Sequence, residues 1–311
     1  MRRLVAGELT EDEALAELRR VQLDELGGRA RLDLGRYLRR GVPEVILAAG
    51  KTPEQVARLA LVMAEQHGQG LVSRMSESHR GALLAAAAGM RVVEYASSAR
   101  VLRSGYEPER IDARVGILTA GTSDIPAADE ARMIVEACGL EARLEADLGV
   151  AGLHRFVAPL SSMLDWGADV IVVAAGMDGV LPGLVAGLID VPVIGLPVST
   201  GYGRGGAGEA ALTTMLQSCS TGLTVVNIDN GVGAGTAAVL IAARAAQGRR
   251  RGRSAAYAAN TTAATMRRPK TAAATTRDTS APPGKANTRA SSTTVTRTPT
   301  SSHGNPRRRR P

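Results

Sequence analysis

DVIVVAAGMDGVLPG, residues 169–183, is the stretch whose reading decides the fold. After Asp169 the run to Ala175 is apolar without polar alternation, and Gly176-Met177-Asp178-Gly179 then turns the chain toward a helix opening near Val180-Leu181-Pro182. A strand with no polar face is covered on both sides, as parallel strands are when helices lie above and below them. The same unit recurs outward from this one. VGILT (115–119), VPVIGL (191–196) and TVVNI (224–228) are its companion strands, with helices expected near 127–138, 158–166, 207–219 and 233–246. The expected fold class is α/β: a three-layer αβα domain with a parallel sheet over residues 112–247.

Upstream, a smaller α/β region is expected within 1–111. Residues 43–100 alternate strand and helix signals: Glu44–Leu47, a helix opened by Thr52-Pro53-Glu54, Gly70–Ser73, a helix around Arg80–Ala88, and Arg91–Tyr95. Such a rhythm implies parallel pairing. Residues 3–26 carry apolar and charged positions at helical spacing, with Thr10 as an N-cap, and read as one or two peripheral helices. Beyond Gln247 the composition shifts to Ala, Thr, Ser, Arg and Pro, too poor in apolar groups to offset the entropy of ordering, so residues 248–311 are expected to be a disordered tail.

The formal charge of +8 belongs to that tail. Residues 249–311 hold 15 of the 38 Lys and Arg and a single acid, Asp278, which leaves residues 1–248 with 23 basic and 29 acidic residues, a net −6. The tail could meet RNA or acidic surfaces, but it lacks the interleaved aromatics on which bases stack, and specific nucleic-acid binding is not expected. Two cysteines are too few for a disulfide framework, no secretory pattern precedes the first polar segment, and no apolar run approaches the roughly 18 residues of a membrane span. A cytoplasmic protein without a membrane partner is the expectation.

Ligands of open parallel sheets bind beyond the carboxyl ends of the strands. Four unusual loops fall there: Gly121-Thr122-Ser123-Asp124, Gly176-Met177-Asp178-Gly179, Ser199-Thr200-Gly201-Tyr202-Gly203, and Asp229-Asn230-Gly231. In the first, small hydroxyls and amides ahead of a helix could hold a phosphate, or Ser123 or Asp124 could simply cap that helix. Asp178, between two glycines after a buried strand, could accept a proton or cap the next helix. Cys219 follows Leu212, Met215 and Leu216 at helical spacing, as a core cysteine would, and a helix C-terminus disfavours a thiolate. Cys138 reads as packing. His154-Arg155 could supply an acid or a phosphate contact, and the histidines at 67, 79, 154 and 303 show no metal-ligand spacing.

These segments carry a family resemblance. GTSDIP (121–126), LHR (153–155), AGMDGVLPG (175–183) and PVIGLPV (192–198) resemble, in order, the PurE family of aminoimidazole ribonucleotide carboxylases and mutases. AGMDGVLPGLVAGL (175–188), GLPVSTGYG (195–203), LTTMLQSC (212–219) and VNIDNGVGAG (226–235) more closely resemble LarB, the pyridinium-3,5-biscarboxylic acid mononucleotide synthase that opens nickel-pincer cofactor biosynthesis. The resemblance runs from about Asp33 to Ala246. It implies a PurE-like, flavodoxin-like domain that carboxylates the pyridinium ring of nicotinic acid adenine dinucleotide with carbon dioxide or bicarbonate and cleaves its phosphoanhydride to release AMP.

By the same resemblance Cys219 is the nucleophile and Asp178 the catalytic acid or base. Gly121, Thr122, Ser123, Asp124, His154, Arg155, Gly176, Met177, Ser199, Gly201, Tyr202, Asp229 and Asn230 contact substrate. No tightly held cofactor is implied; magnesium is expected with the substrate phosphates, and a homo-oligomer, an octamer as in PurE, is the expected assembly. Two positions depart from the patterns: Val180 stands where PurE has a loop histidine, and Asp178 where LarB more often has Glu. The alternatives are a purine-pathway aminoimidazole ribonucleotide carboxylase or mutase, and a non-catalytic nucleotide-binding protein.

Overall fold

The computed structural model describes residues 41–266 continuously and, before them, Gly7, Thr10 and an antiparallel ribbon of β1 (Asp24–Leu26) and β2 (Ala30–Leu32). The helices expected over 3–26 fall outside the described residues, apart from Asp24–Leu26, which is strand. The tail from 267 onward also lies outside them.

A four-stranded sheet comes next, built from β3 (Val45–Leu47), β4 (Gln69–Ser73), β5 (Arg91–Glu94) and β6 (Ala99–Leu102) in the order β3-β4-β6-β5. α1 (Pro53–His67) and α2 (Glu77–Ala86) cover one face through Val56, Ala60, Met63 and Leu83. α1 starts where Thr52-Pro53 directs it: the Thr52 hydroxyl accepts from the Gln55 amide at 3.3 Å and the Gln55 side chain returns a bond to Thr52 at 3.1 Å. The expected parallel pairing holds only for β3 with β4; β4–β6 and β5–β6 are antiparallel. Four residues separate β5 from β6, enough for a hairpin and too few for the crossover that parallel strands need.

The second sheet contains β7 (Arg114–Thr119), β8 (Glu141–Glu145), β9 (Val170–Ala175), β10 (Val193–Pro197) and β11 (Leu223–Val225), all parallel, in the order β11-β10-β9-β7-β8. That is the flavodoxin-like order, with its switch point between β7 and β9. Val115, Ile117, Val172 and Ile194 face α3 (Ile125–Ala137) and α7 (Gly231–Met266). Leu118, Ile171, Val173 and Val193 face α4 (His154–Asp165), α5 (Val180–Ala186) and α6 (Glu209–Leu216). The three-layer α/β domain is as expected. β8 is an unanticipated edge strand: EARLE alternates exposed and half-buried positions, so it has no apolar run to betray it.

α3 lies between the two sheets. Leu71 and Tyr95 of the first region share a core with Ala131 and Ile134 of α3. Polar bonds fix the same contact: Tyr95 Oη donates to Glu136 at 2.6 Å, Gln69 Nε2 to the Ala137 carbonyl at 2.8 Å, and the Ala96 amide to Asp129 at 3.0 Å. Both regions fall in one compact unit, Met1–Thr261. No described helix is long and apolar enough to cross a membrane.

The boundary expected at Gln247 needs correction, because α7 runs through it to Met266. Arg249 explains the continuation. Its guanidinium bonds the carboxylate of Asp169, which is 7% exposed, and donates to the Asp112 carbonyl at 3.0 Å, closing α7 against the start of β9. A chain ending at Gly248 leaves that carboxylate with the Arg114 amide, at 2.9 Å, but without its cation, whereas one ending at Met266 keeps the pair. We expect the shorter chain to melt roughly 3–6 °C lower, the effect of about 1.5 kcal/mol on a body of this size. Equal melting temperatures by calorimetry would refute the role given to Arg249.

Candidate active site

Asp124 ties the first loop to the third and lies against the second. Its side chain is buried beneath the first loop, where Oδ2 accepts from the Gly121 amide at 2.8 Å and Oδ1 from the Thr200 hydroxyl at 2.7 Å. Gly176 lies against the same carboxylate, where a Cβ would come within 3.2 Å of Oδ1. Burial pushes the Asp124 carboxyl above its ordinary range, while these hydrogen bonds pull it back and the nearby Asp229 adds to the rise. Gly176 is required at this junction, since a Cβ there would lie 2.2 Å from the Thr200 carbonyl. Asp124 therefore anchors the loops, and Thr122 and Ser123 beside it carry the exposed hydroxyls.

The fourth loop is bound in the same manner. The Asp229 carboxylate accepts from the Ser199 amide at 2.8 Å, and the Asp229 amide donates to Pro197 at 2.8 Å. Asn230 caps α7 by accepting from the Gly233 amide at 2.8 Å. Gly201 packs against Met177, whose own amide donates to the Thr200 carbonyl at 3.0 Å. Met177 holds a left-handed φ of +49° and is exposed, and Tyr202 projects 82% exposed from the third loop. His154 and Arg155 open α4; His154 is exposed and Arg155 pairs with Asp147 at 2.9 Å.

Two expectations change. Asp178 is exposed, so it pays no burial cost, and its carboxylate accepts from the Val180 amide at 3.3 Å at the start of α5. Cys219 is neither helical nor buried. α6 ends at Leu216, and Cys219 lies in the following loop as an exposed thiol. Counting helical spacing past Leu216 had placed it on a core face. It lines a groove of roughly 530 Å³ between α5 and α6, which Gly179 and Val180 line at the Asp178 end. Ser220 Oγ donates to the Gly183 carbonyl at 2.6 Å, which sets the Cys219 loop beside the middle of α5. Asp178 lies in the turn just before α5, so the Cys219 loop and the Asp178 turn adjoin different levels of the same short helix. Cys138 is buried, with its thiol pushed up to about 12 by desolvation, and belongs to the core as expected.

Sequence reasoning missed Thr200 as the Asp124 partner, and Glu130 and Arg74 altogether. Glu130, buried on α3, accepts from the Val232 amide at 3.1 Å. Burial pushes its carboxyl up, against the Val232 bond and the charge of Arg74. Among the described residues no group of three or more His, Cys, Asp or Glu is placed to hold a metal ion.

Residues 23–105 match the family described as LarB/PurE-like N-terminal domain, and residues 114–264 the family described as AIR carboxylase. The chain is 39% identical over 242 residues to MJ0165, an uncharacterized protein of Methanocaldococcus jannaschii, covering 76% of this chain and 93% of that one. It is 33% identical over 87 residues to the N5-carboxyaminoimidazole ribonucleotide mutase of Thermotoga maritima, 28% of this chain and 51% of the mutase. A crystal structure of a Treponema denticola PurE2 variant is 20% identical with a TM-score of 0.35, covering 51% of this chain and 100% of that one. Matched in order across both regions, and nearly end to end with its archaeal relative, the chain belongs to the LarB family, with a PurE-like AIR carboxylase domain as its second region.

Proposed function

We propose that this protein carboxylates the pyridinium ring of nicotinic acid adenine dinucleotide and hydrolyses the phosphoanhydride, giving pyridinium-3,5-biscarboxylic acid mononucleotide and AMP. The observation that carries the reading is the exposed Cys219 thiol in a groove that reaches the Asp178 loop. A pyridinium ring is too electron-poor to attack carbon dioxide. Addition of the Cys219 thiolate to a ring carbon breaks the aromatic system and makes an enamine, whose β-carbon attacks carbon dioxide to form the new carboxylate. Asp178 then takes the proton from the carboxylated carbon, the electron pair re-forms the ring, and the thiolate departs unchanged.

Thr122, Ser123, Ser199 and Asp229 on the loop edge suit the ribose and phosphates, as do His154 and Arg155 at the start of α4. Magnesium would arrive with those phosphates; the oxygen donors of Asp229 and the hydroxyl loops fit a metal held mostly by substrate and water. Exposed Val180, Leu188 and Leu216 flank the groove and support burial of this face in a homo-oligomer. Val180 at the loop position where the purine enzymes have histidine disfavours the aminoimidazole ribonucleotide reaction.

Purified protein given nicotinic acid adenine dinucleotide, bicarbonate and magnesium should release AMP and a mononucleotide heavier by one carboxyl group, read by mass spectrometry. Turnover of aminoimidazole ribonucleotide instead, or no AMP, would sink the reading. Cys219→Ala is expected to lower ring carboxylation by at least about a thousandfold without changing the melting temperature. A thiol reagent should titrate one cysteine in the native protein and two after denaturation, because Cys138 is buried; full activity in the alanine variant would eliminate the covalent route.

A further inference from the structure

The loop edge is acidic where the proposed substrate is anionic. From Asp178 it passes through its neighbour Met177 to Thr200, and through Ser199 to Asp229, with hydrogen bonds joining Met177 to Thr200 and Ser199 to Asp229. A diphosphate laid along it meets Asp178 and Asp229, like charges that oppose binding unless a cation intervenes. The backbone supplies little compensation. Gly231-Val232-Gly233-Ala234-Gly235 at the start of α7 looks like a phosphate-binding turn, yet the Val232 amide is committed to Glu130 and the Gly233 amide to Asn230. Its glycines serve packing instead: a Cβ on Gly231 would lie 2.2 Å from the Ala127 carbonyl, and one on Gly235 2.6 Å from that of Ala131.

Arg74 reaches the same place from the other region. It follows β4 in the first sheet and holds a φ of +55°, a conformation that residues with side chains rarely adopt. Its Nη2 donates to the Asp229 carbonyl at 2.5 Å, and its Nε lies 3.9 Å from the Glu130 carboxylate. A guanidinium has five N–H groups in a planar fork, so these contacts leave donors over on a side chain that is 47% exposed.

We propose that Arg74 makes the first region part of the active site by contacting the second phosphate of the dinucleotide, the one that leaves with AMP. This rests on the pyridinium-dinucleotide reading. With the ring between Cys219 and Asp178, the first phosphate falls near Ser199 and the second near Arg74, beyond Asp229. A mononucleotide has no group that reaches Arg74.

Binding of nicotinic acid adenine dinucleotide and of nicotinic acid mononucleotide to the full-length protein, each by calorimetry at fixed magnesium, tests this. Arg74→Met should weaken the dinucleotide about 10- to 100-fold and the mononucleotide less than about threefold, with Arg74→Lys recovering part of the loss. A purely structural Arg74 would matter because it balances buried Glu130, so adding Glu130→Gln to Arg74→Met would then restore dinucleotide affinity. We expect no such rescue. Equal losses for both nucleotides, unchanged dinucleotide affinity, or rescue in the double variant would each overturn the proposal while leaving the wild-type reading intact. Wild-type protein that binds neither nucleotide overturns both.

Discussion

The carboxylate of Asp124 is buried where three loops converge: it accepts from Gly121 in the first and Thr200 in the third, and Gly176 of the second packs against it. Loops at the carboxyl edge of a parallel sheet are separated by whole crossover helices, so nothing local holds them in register. One buried charge does so, because every donor that turned away would leave it less compensated. The cost appears in the direction of its titration. A carboxyl raised by burial contributes stability that is present below its unfolded pKa and lost as pH rises through the folded one, and its hydrogen bonds limit that loss.

Asp124 and Glu130 both belong to the α3 segment, and together they make that helix the spine of the molecule. Glu130 accepts the first amides of α7, as Asp124 accepts those of the loops. Wedged between two sheets, α3 can carry buried acids because partners reach it from both sides: Arg74, Tyr95 and Ala96 from the first region, and Gly121, Thr200 and Val232 from the second. Its packing is close enough to need glycine opposite, which is why Gly231 and Gly235 lie on the facing turns of α7.

How much of this was legible follows from how each feature is encoded. The strands of the second sheet could be read because burial on both faces writes itself as an unbroken apolar run, and the four loops because glycine and small hydroxyls mark turns. β8 and β6 were hidden, the first by the charged alternation of an edge and the second by Arg100, a charged residue buried in the middle of its run. Cys219 was placed on a core face because the periodic pattern does not announce that α6 stops at Leu216. Asp178 follows a covered strand but lies in an uncovered turn, so it is exposed, and its carboxylate meets the Val180 amide at the start of α5. Arg74 left no signal at all: its bond to Asp229 spans 155 residues, and nothing near either residue points to the other.

The groove around Cys219 has a chemical consequence of its own. It is lined by Gly179, Val180, Gly183, Leu184, Thr213, Thr214, Gln217, Ser218 and Ser220, none of them a cation. A cysteine nucleophile ordinarily relies on a neighbouring histidine, lysine or helix N-terminus to stabilise its anion, and no such group lines this groove. On the proposed chemistry the missing positive charge enters with the pyridinium ring, so thiolate and target stabilise each other only when both are present. The same ring then loses its charge as the carbon–sulfur bond forms, which removes the stabilisation once it has served. On that proposal a thiol left otherwise unassisted in an exposed groove would be matched to one class of electrophile, a flat cation carried on a nucleotide.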